Sequence, residues 1–283
     1  MKKLLNAIRT IKKRWAKYTP IIEVVISRAA ILHNLHEFQK TYPKLQIAPV
    51  LKSNAYGHGL VTVAEILQSE NIPFLAVDSL YEANVLRESN VHTPIMILDF
   101  TPVHNIVGNR YKNISFAITS LKQLQELAKT KHEATVHIKL DTGMHRQGLL
   151  PNEISEAIKI LQQNKHIHVE GIYSHFANAH RADKQSETQA QISIWEAGIT
   201  QIKTQIKGIK YFHLANTAGA YFMKDATCNL VRSGIGIFGH NPSPFTQMDL
   251  KLALRMETMI GGIKKINAGA CVGYNSHNST RLF

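Results

Sequence analysis

The sequence predicts an α/β protein: a (β/α)8 TIM barrel followed by the start of a β-rich C-terminal domain. Three observations predict it. Short β-branched runs alternate with longer amphipathic segments about eight times, which calls for a parallel sheet with crossover helices. A length of 283 residues suits one such barrel with some chain to spare. The residues equipped for chemistry follow the C-terminal ends of the strand-like runs, where barrels of this kind gather their sites.

Taken in order, residues 1–20 form a basic amphipathic extension. Leu4, Leu5, Ile8, Ile11 and Trp15 recur at helical spacing among Lys2, Lys3, Arg9, Lys12, Lys13 and Arg14. Such a helix suits either contact with an anionic membrane surface or a solvated, domain-packed extension. The barrel is expected over 21–244. Ile21–Ile26 reads as a strand, and Ser27 as the N-cap of a helix to Thr41 whose Ile31, Leu35 and Phe38 share a buried face. Eight strands are then expected at Ile47–Leu51, Phe74–Val77, Ile95–Leu98, Ser115–Ile118, Thr135–Leu140, Val169–Tyr173, Phe212–Leu214 and Leu230–Val231. Helices fall between them at Leu60–Ser69, Leu80–Ser89, Leu121–Thr130, Asn152–Asn164 and Lys184–Ile206. Asn241-Pro242-Ser243-Pro244 reads as a linker. Residues 245–283 then open an incomplete β domain, with a strand pair over Leu254–Ile266 broken at Gly261-Gly262 and a turn at Asn267-Ala268-Gly269.

Composition is that of an ordinary globular protein, 44% hydrophobic and 19% charged. The net charge of +13 is spread along the chain beyond the N-terminus and accompanies no nucleic-acid-binding motif, so a nucleic-acid partner is not expected. Cys228 and Cys271 make neither a metal spacing nor a disulfide framework, which fits a reducing, cytoplasmic setting. No apolar run is long enough to cross a bilayer.

Lys52 carries the strongest chemical signal. It ends a buried strand and is followed by Tyr56, Gly57 and Gly59, which allow a tight strand-to-helix turn. A half-buried lysine there is a competent amine for a Schiff base or for proton abstraction, although a lysine snorkelling from a strand end would look the same. Pyridoxal 5'-phosphate would need such a lysine, a phosphate cradle, a partner for the ring nitrogen and a group for the substrate carboxylate. The run Val231-Arg232-Ser233-Gly234-Ile235-Gly236 offers backbone N–H groups among small residues, and equally could be a tight turn. Asn216-Thr217 adds a hydroxyl at a helix start, and Tyr56 a phenol. Arg146 after Asp141-Thr142-Gly143 reads as a ligand or as a loop surface residue, and His175 as a site histidine or a satisfied core one. His166, His168 and His180 show no metal geometry.

Together these segments resemble the alanine racemases, pyridoxal-phosphate enzymes of bacterial cell-wall metabolism. The resemblance covers about Ile21 to Asn275. Its most specific element is Lys52-Ser53-Asn54-Ala55-Tyr56-Gly57-His58-Gly59, joined by Lys139-Leu140-Asp141-Thr142-Gly143-Met144-His145-Arg146, Ser174-His175-Phe176-Ala177, His213-Leu214-Ala215-Asn216, Val231-Arg232-Ser233-Gly234 and Val272-Gly273-Tyr274. It implies a two-base interconversion of L- and D-alanine, with Lys52 as the Schiff-base lysine and D-side base. Tyr274 would be the opposite base, lent to the other subunit of a homodimer, and His175 its hydrogen-bond partner. Arg232 would face the pyridine nitrogen and Arg146 the substrate carboxylate. Tyr56, Thr217 and the backbone of Gly234 and Ile235 would hold the phosphate beside Asn216. Lys139 takes the place of a lysine carbamylated in some members. Ser53, Thr217 and His145 depart from the usual alanine, serine and glycine. The family's second domain is longer than 245–283, so the alternative expectation is a truncated paralogue or fragment that binds the cofactor without turnover. A metal-assisted aldolase or dehydratase on the same barrel would need a metal cluster, which the sequence does not offer.

Overall fold

The computed structural model describes residues 20–223 and 228–274. The basic helix expected over 1–20 lies, Pro20 apart, outside the described residues. Two units are distinguished, Ile26–Leu254 and a smaller one made of residues before Ile26 and after Leu254.

Strand β1 (Ile22–Ile26) pairs with β10 (Leu254–Thr258) in a two-stranded sheet. This corrects the strand pair expected over Leu254–Ile266, of which only the first half is a strand. Residues 259–266 are all exposed, so no burial rewards extending the chain past Gly261-Gly262, and β10 takes its partner from the distant β1. The turn after it does form, with Ala270 N–H donating to Asn267 O at 3.1 Å.

In the larger unit Ser27 caps α1 (Arg28–Thr41) through a bond from Ala30 N–H to its hydroxyl. Ile31, Leu35 and Phe38 are fully buried on one face, each contributing on the order of 1.5–3 kcal/mol of transfer free energy. The eight predicted strands follow as β2 (Gln46–Pro49), β3 (Leu75–Val77), β4 (Ile95–Ile97), β5 (Ile114–Ile118), β6 (Ala134–Lys139), β7 (Ile167–Tyr173), β8 (Tyr211–His213) and β9 (Leu230–Ser233). Strands β3 to β8 form one parallel sheet in sequence order, and β9 pairs in parallel with β2 from Gln46↔Leu230 to Pro49↔Ser233. Bridges Val50↔Ala76 and Asn216↔Arg232 join the two sets, so the ring of eight strands closes. Helices α2 (Leu60–Leu67), α3 (Leu80–Glu88), α5 (Leu121–Thr130), α6 (Ile154–Gln163) and α7 (Gln185–Gln205) stand where the sequence places them. The five-residue α4 (Val103–Val107) is too short to announce itself by periodicity.

Strand side chains alternate between two cores. Ile47 and Leu51 join the larger core with the helices, whereas Ala48, Val50, Ala76, Met96, Ala117 and Leu230 join a separate cluster with Phe74 and Tyr173. Lys139 and Arg232 stand on strands that contribute to this side of the sheet, and the other site residues follow the strand ends.

Candidate active site

A cavity of about 560 Å³ opens at the C-terminal ends of the strands. Lys52, Tyr56, Lys139, Arg146, His175, Asn216, Thr217, Arg232, Gly234 and Ile235 all line it, so ten of the residues selected from sequence meet in one place. Tyr274 belongs to the smaller unit, where its side chain is fully exposed. Sequence reasoning missed Asp78, Asp99, Gln147 and Tyr173, and set His180 aside as non-functional; all five line the same cavity. Asp78 directly follows β3 and Asp99 stands two residues past β4, so reading the first polar residue after each strand would have found both.

Lys52 stands on an unusual support. Ser53, Asn54, Ala55 and Tyr56 have φ of 55°, 56°, 53° and 53°, a turn of left-handed helix built without glycine. L-residues in that region cost roughly 1–2 kcal/mol each. The surroundings offset this: Glu82 accepts from Asn54 N–H at 3.1 Å with one oxygen and from Asp78 N–H at 2.9 Å with the other. Asn54 Oδ1 accepts from Leu60 N–H at 2.8 Å, and Ala55 is fully buried. Gly57 and Gly59, at φ 88° and 94°, then lead into α2, as the sequence predicts. Lys52 Nζ lies 3.7 Å from Asp78 Oδ1.

Across the cavity Arg232 is 3% exposed, and burial lowers its pKa to about 10, still far above neutrality. Its guanidinium donates to His213 Nδ1 at 2.7 Å, to His175 Nδ1 at 3.2 Å and to the carbonyls of Ser174, His213 and Leu214. Burial first, and then Arg232 and Arg146, lower the His175 pKa to about 3, so the ring is neutral and accepts from Arg232. Asn216 Nδ2 is 3.5 Å from His175 Nε2, and Asn216 Oδ1 accepts from Gly219 N–H at 2.9 Å.

Lys139 is 5% exposed and donates to Gln147 Oε1 at 2.8 Å. Burial, followed by the charges of Arg146 and Arg232, lowers its pKa to about 8, against partial support from Asp99 and Asp141. The loop that carries Arg146 is tied to Asp141 Oδ1, which accepts from the N–H groups of Gly143, Met144 and His145 at 3.0, 3.1 and 3.1 Å. Burial raises the Asp141 pKa, but the donors of Gly143 and His145 more than offset it and the net shift is down. His145 has φ 53°, which explains why a glycine is the ordinary choice there.

The remaining wall suits a phosphate. Gly234 N–H donates to Thr217 Oγ1 at 3.2 Å, and a Cβ on Gly234 would overlap the Tyr56 hydroxyl, so only glycine lets these two donors meet the loop. Four cations, Lys52, Lys139, Arg146 and Arg232, face two carboxylates, Asp78 and Asp99, leaving an excess of positive charge. A pyridoxal phosphate with a bound amino acid carries a phosphate and a carboxylate, and this balance accepts both. The residues therefore fit the cofactor. Among the described residues no group of His, Cys, Asp or Glu could hold a metal ion, and no helix is long and apolar enough to cross a membrane.

Comparison with known proteins agrees with this geometry. Residues 26–242 match the family profile described as alanine racemase, N-terminal domain. The chain belongs to the alanine racemase family. The alanine racemase of Carboxydothermus hydrogenoformans is 34% identical over 255 residues, covering 87% of this chain and 68% of that protein. That of Helicobacter acinonychis is 34% identical over 268 residues, covering 90% and 71%. Among solved structures, the alanine racemase of Clostridium difficile 630 superposes with a TM-score of 0.83 at 29% identity, covering 93% of this chain and 71% of that one. The Bacillus anthracis alanine racemase with bound L-Ala-P gives 0.83 at 29%, covering 94% and 71%.

Proposed function

We propose that the protein is a pyridoxal 5'-phosphate-dependent alanine racemase that interconverts L- and D-alanine in the cytoplasm as a homodimer. The observation that carries the reading is the meeting of Lys52, Arg232 and the Tyr56–Thr217–Gly234 wall around one cavity at the strand ends. When bound, the cofactor supplies a conjugated electron sink that acidifies the Cα–H of the amino acid attached to it. Lys52 Nζ anchors the cofactor and moves the proton on one face. Its strained support fixes the Cα from which it reaches into the cavity. Tyr56, Thr217 and the backbone of Gly234 and Ile235 hold the phosphate, beside Asn216. Arg232 faces the ring nitrogen as a cation that does not give up its proton, which keeps that nitrogen unprotonated and limits side reactions. Arg146 orients the substrate carboxylate. Lys139, as free amine, adds to CO₂ with loss of a proton, giving a carbamate whose charge is opposite to that of Arg146. Tyr274 moves the proton on the other face, in the partner subunit's site; full exposure is what a residue lent to another subunit requires.

Deuterium incorporation at Cα during turnover of either enantiomer in D₂O, dependent on added pyridoxal phosphate, tests the reaction. Lys52→Ala is expected to abolish the visible band of the lysine-bound cofactor, and survival of that band would refute the assignment. Lys52→Ala and Tyr274→Phe chains, each inactive, are expected to regain partial activity when mixed, because one site of a heterodimer then has both bases. The exposure of Tyr274 also favours a second reading, cofactor binding without turnover. That reading predicts the visible band, no deuterium exchange and no effect of Tyr274→Phe.

A further inference from the structure

We propose that Glu170, at the far end of a hydrogen-bonded chain through His137 and His213, is the positioning residue that holds Arg232 in place within the barrel.

The chain has one consistent set of protons. Arg232 has only donors to offer, so His213 Nδ1, 2.7 Å from Nη1, must accept. Neutral His213 then carries its proton on Nε2, which lies 2.8 Å from His137 Nδ1. His137 Nδ1 accepts in turn, and its own proton sits on Nε2, 3.4 Å from Glu170 Oε2. Starting from the other end gives the same answer, since an ionised carboxylate only accepts. Both imidazoles are fully buried, and burial first among the causes depresses both of their pKa values, so neither ring carries a charge of its own. Glu170 stays ionised: its carboxylate also accepts from Ser115 Oγ and lies 3.6 Å from Lys210 Nζ. Among the described residues Arg232 otherwise donates only to carbonyls and to His175, so this chain is its link to a negative charge.

Two features of the backbone serve this chain and nothing else described above. The parallel pairing of β6 with β7 slips between Val136↔Val169 and His137↔Gly171, so Glu170 is the extra residue of a β-bulge, a device that re-aims a side chain. Gly171 follows, and a Cβ there would overlap the His137 ring, so the strand is cut away to admit the imidazole.

That Arg232 faces a ring nitrogen rests on the function proposed above; the link between Glu170 and Arg232 does not. Nitrogen-15 histidine NMR on the cofactor-free full chain tests the link directly. Wild-type protein is expected to show His137 and His213 both as Nε2–H tautomers throughout the neutral range. Glu170→Leu, which removes the acceptor, is expected to give mixed tautomers at His137 and faster solvent exchange of the Arg232 guanidinium protons; Gly171→Ala, which displaces the His137 ring, is expected to do the same. Glu170→Gln keeps an acceptor but removes the charge. With pyridoxal phosphate bound it should keep the tautomers while lowering kcat roughly ten-fold and leaving KM within about two-fold, as loss of an outer supporting partner does. A proton on Nδ1 of either wild-type ring, or a Glu170→Leu chain with wild-type tautomers and exchange, would overturn the proposal. Expected tautomers in a chain that binds no pyridoxal phosphate would support this link and sink the racemase reading. Active racemase with His137 protonated on Nδ1 would do the reverse.

Discussion

Burial and two guanidinium neighbours bring Lys139 down to about 8, so around neutrality a useful fraction of it is free amine. An ordinary lysine near 10.5 offers almost none. The deprotonated fraction rises as pH climbs through about 8, and labelling of Lys139 by a small amine-directed reagent should follow that curve. The same free amine should take up ¹³C-labelled bicarbonate as a carbamate visible by ¹³C NMR; Lys139→Ala should lose the signal, and a signal unchanged in that variant would place the modification elsewhere. At Gly234 the argument is steric. Gly234→Ala puts a methyl group onto the Tyr56 hydroxyl, and weaker binding of pyridoxal phosphate with little change in thermal stability is expected. Equal loss of both would mean that the glycine serves the fold rather than the ligand.

Among the elements, the support under Lys52 and the strand-end segments differ in how far the sequence foretells them. Short apolar runs such as Ile95–Leu98 and Ser115–Ile118, set in strand–helix alternation, read as strands buried on both faces, and the structure has strands there at Ile95–Ile97 and Ile114–Ile118. The left-handed turn was not readable, because Ser53, Ala55 and Tyr56 have no preference for that region and Asn54 alone tolerates it. What selects it is Glu82, near in space but 28 residues away from Asn54. Glu82→Ala removes the acceptor of two backbone N–H groups and should cost about 1–3 kcal/mol in equilibrium unfolding. It should also weaken cofactor binding, whereas Glu82→Gln, which keeps one acceptor oxygen, should lose less of each. The proton chain was equally hidden: His137 and Glu170 read as ordinary members of strands, and only the bulge in β7 turns Glu170 toward the imidazole.

For the molecule as a whole, the barrel is closed by strands from its two ends, Gln46–Pro49 against Leu230–Ser233. The closing contacts are far apart in sequence, so the chain orders nearly two hundred residues between them to make the seam. The same strand carries Arg232 and leads into Gly234, which means that the seam of the barrel and the site share residues. A chain ended at Asn229 should lose cooperative unfolding and aggregate through the exposed edge of β2, rather than leave a stable open sheet that merely lacks activity. Closure was foreseeable from eight strand–helix repeats, but the pairing of β1 with β10 was not. Nothing local in Leu254–Thr258 names a partner more than two hundred residues earlier.

The left-handed turn has a further consequence for the timing of binding. Because residues 53–56 are locked by Glu82, Asn54 and the buried Ala55 before any ligand arrives, the entropy of ordering this loop is lost once, when the chain folds. The amine of Lys52 thus meets the cofactor on a platform that has no search left to make. Association should then proceed in a single kinetic phase, with a heat capacity change no larger than burial of the ligand itself requires.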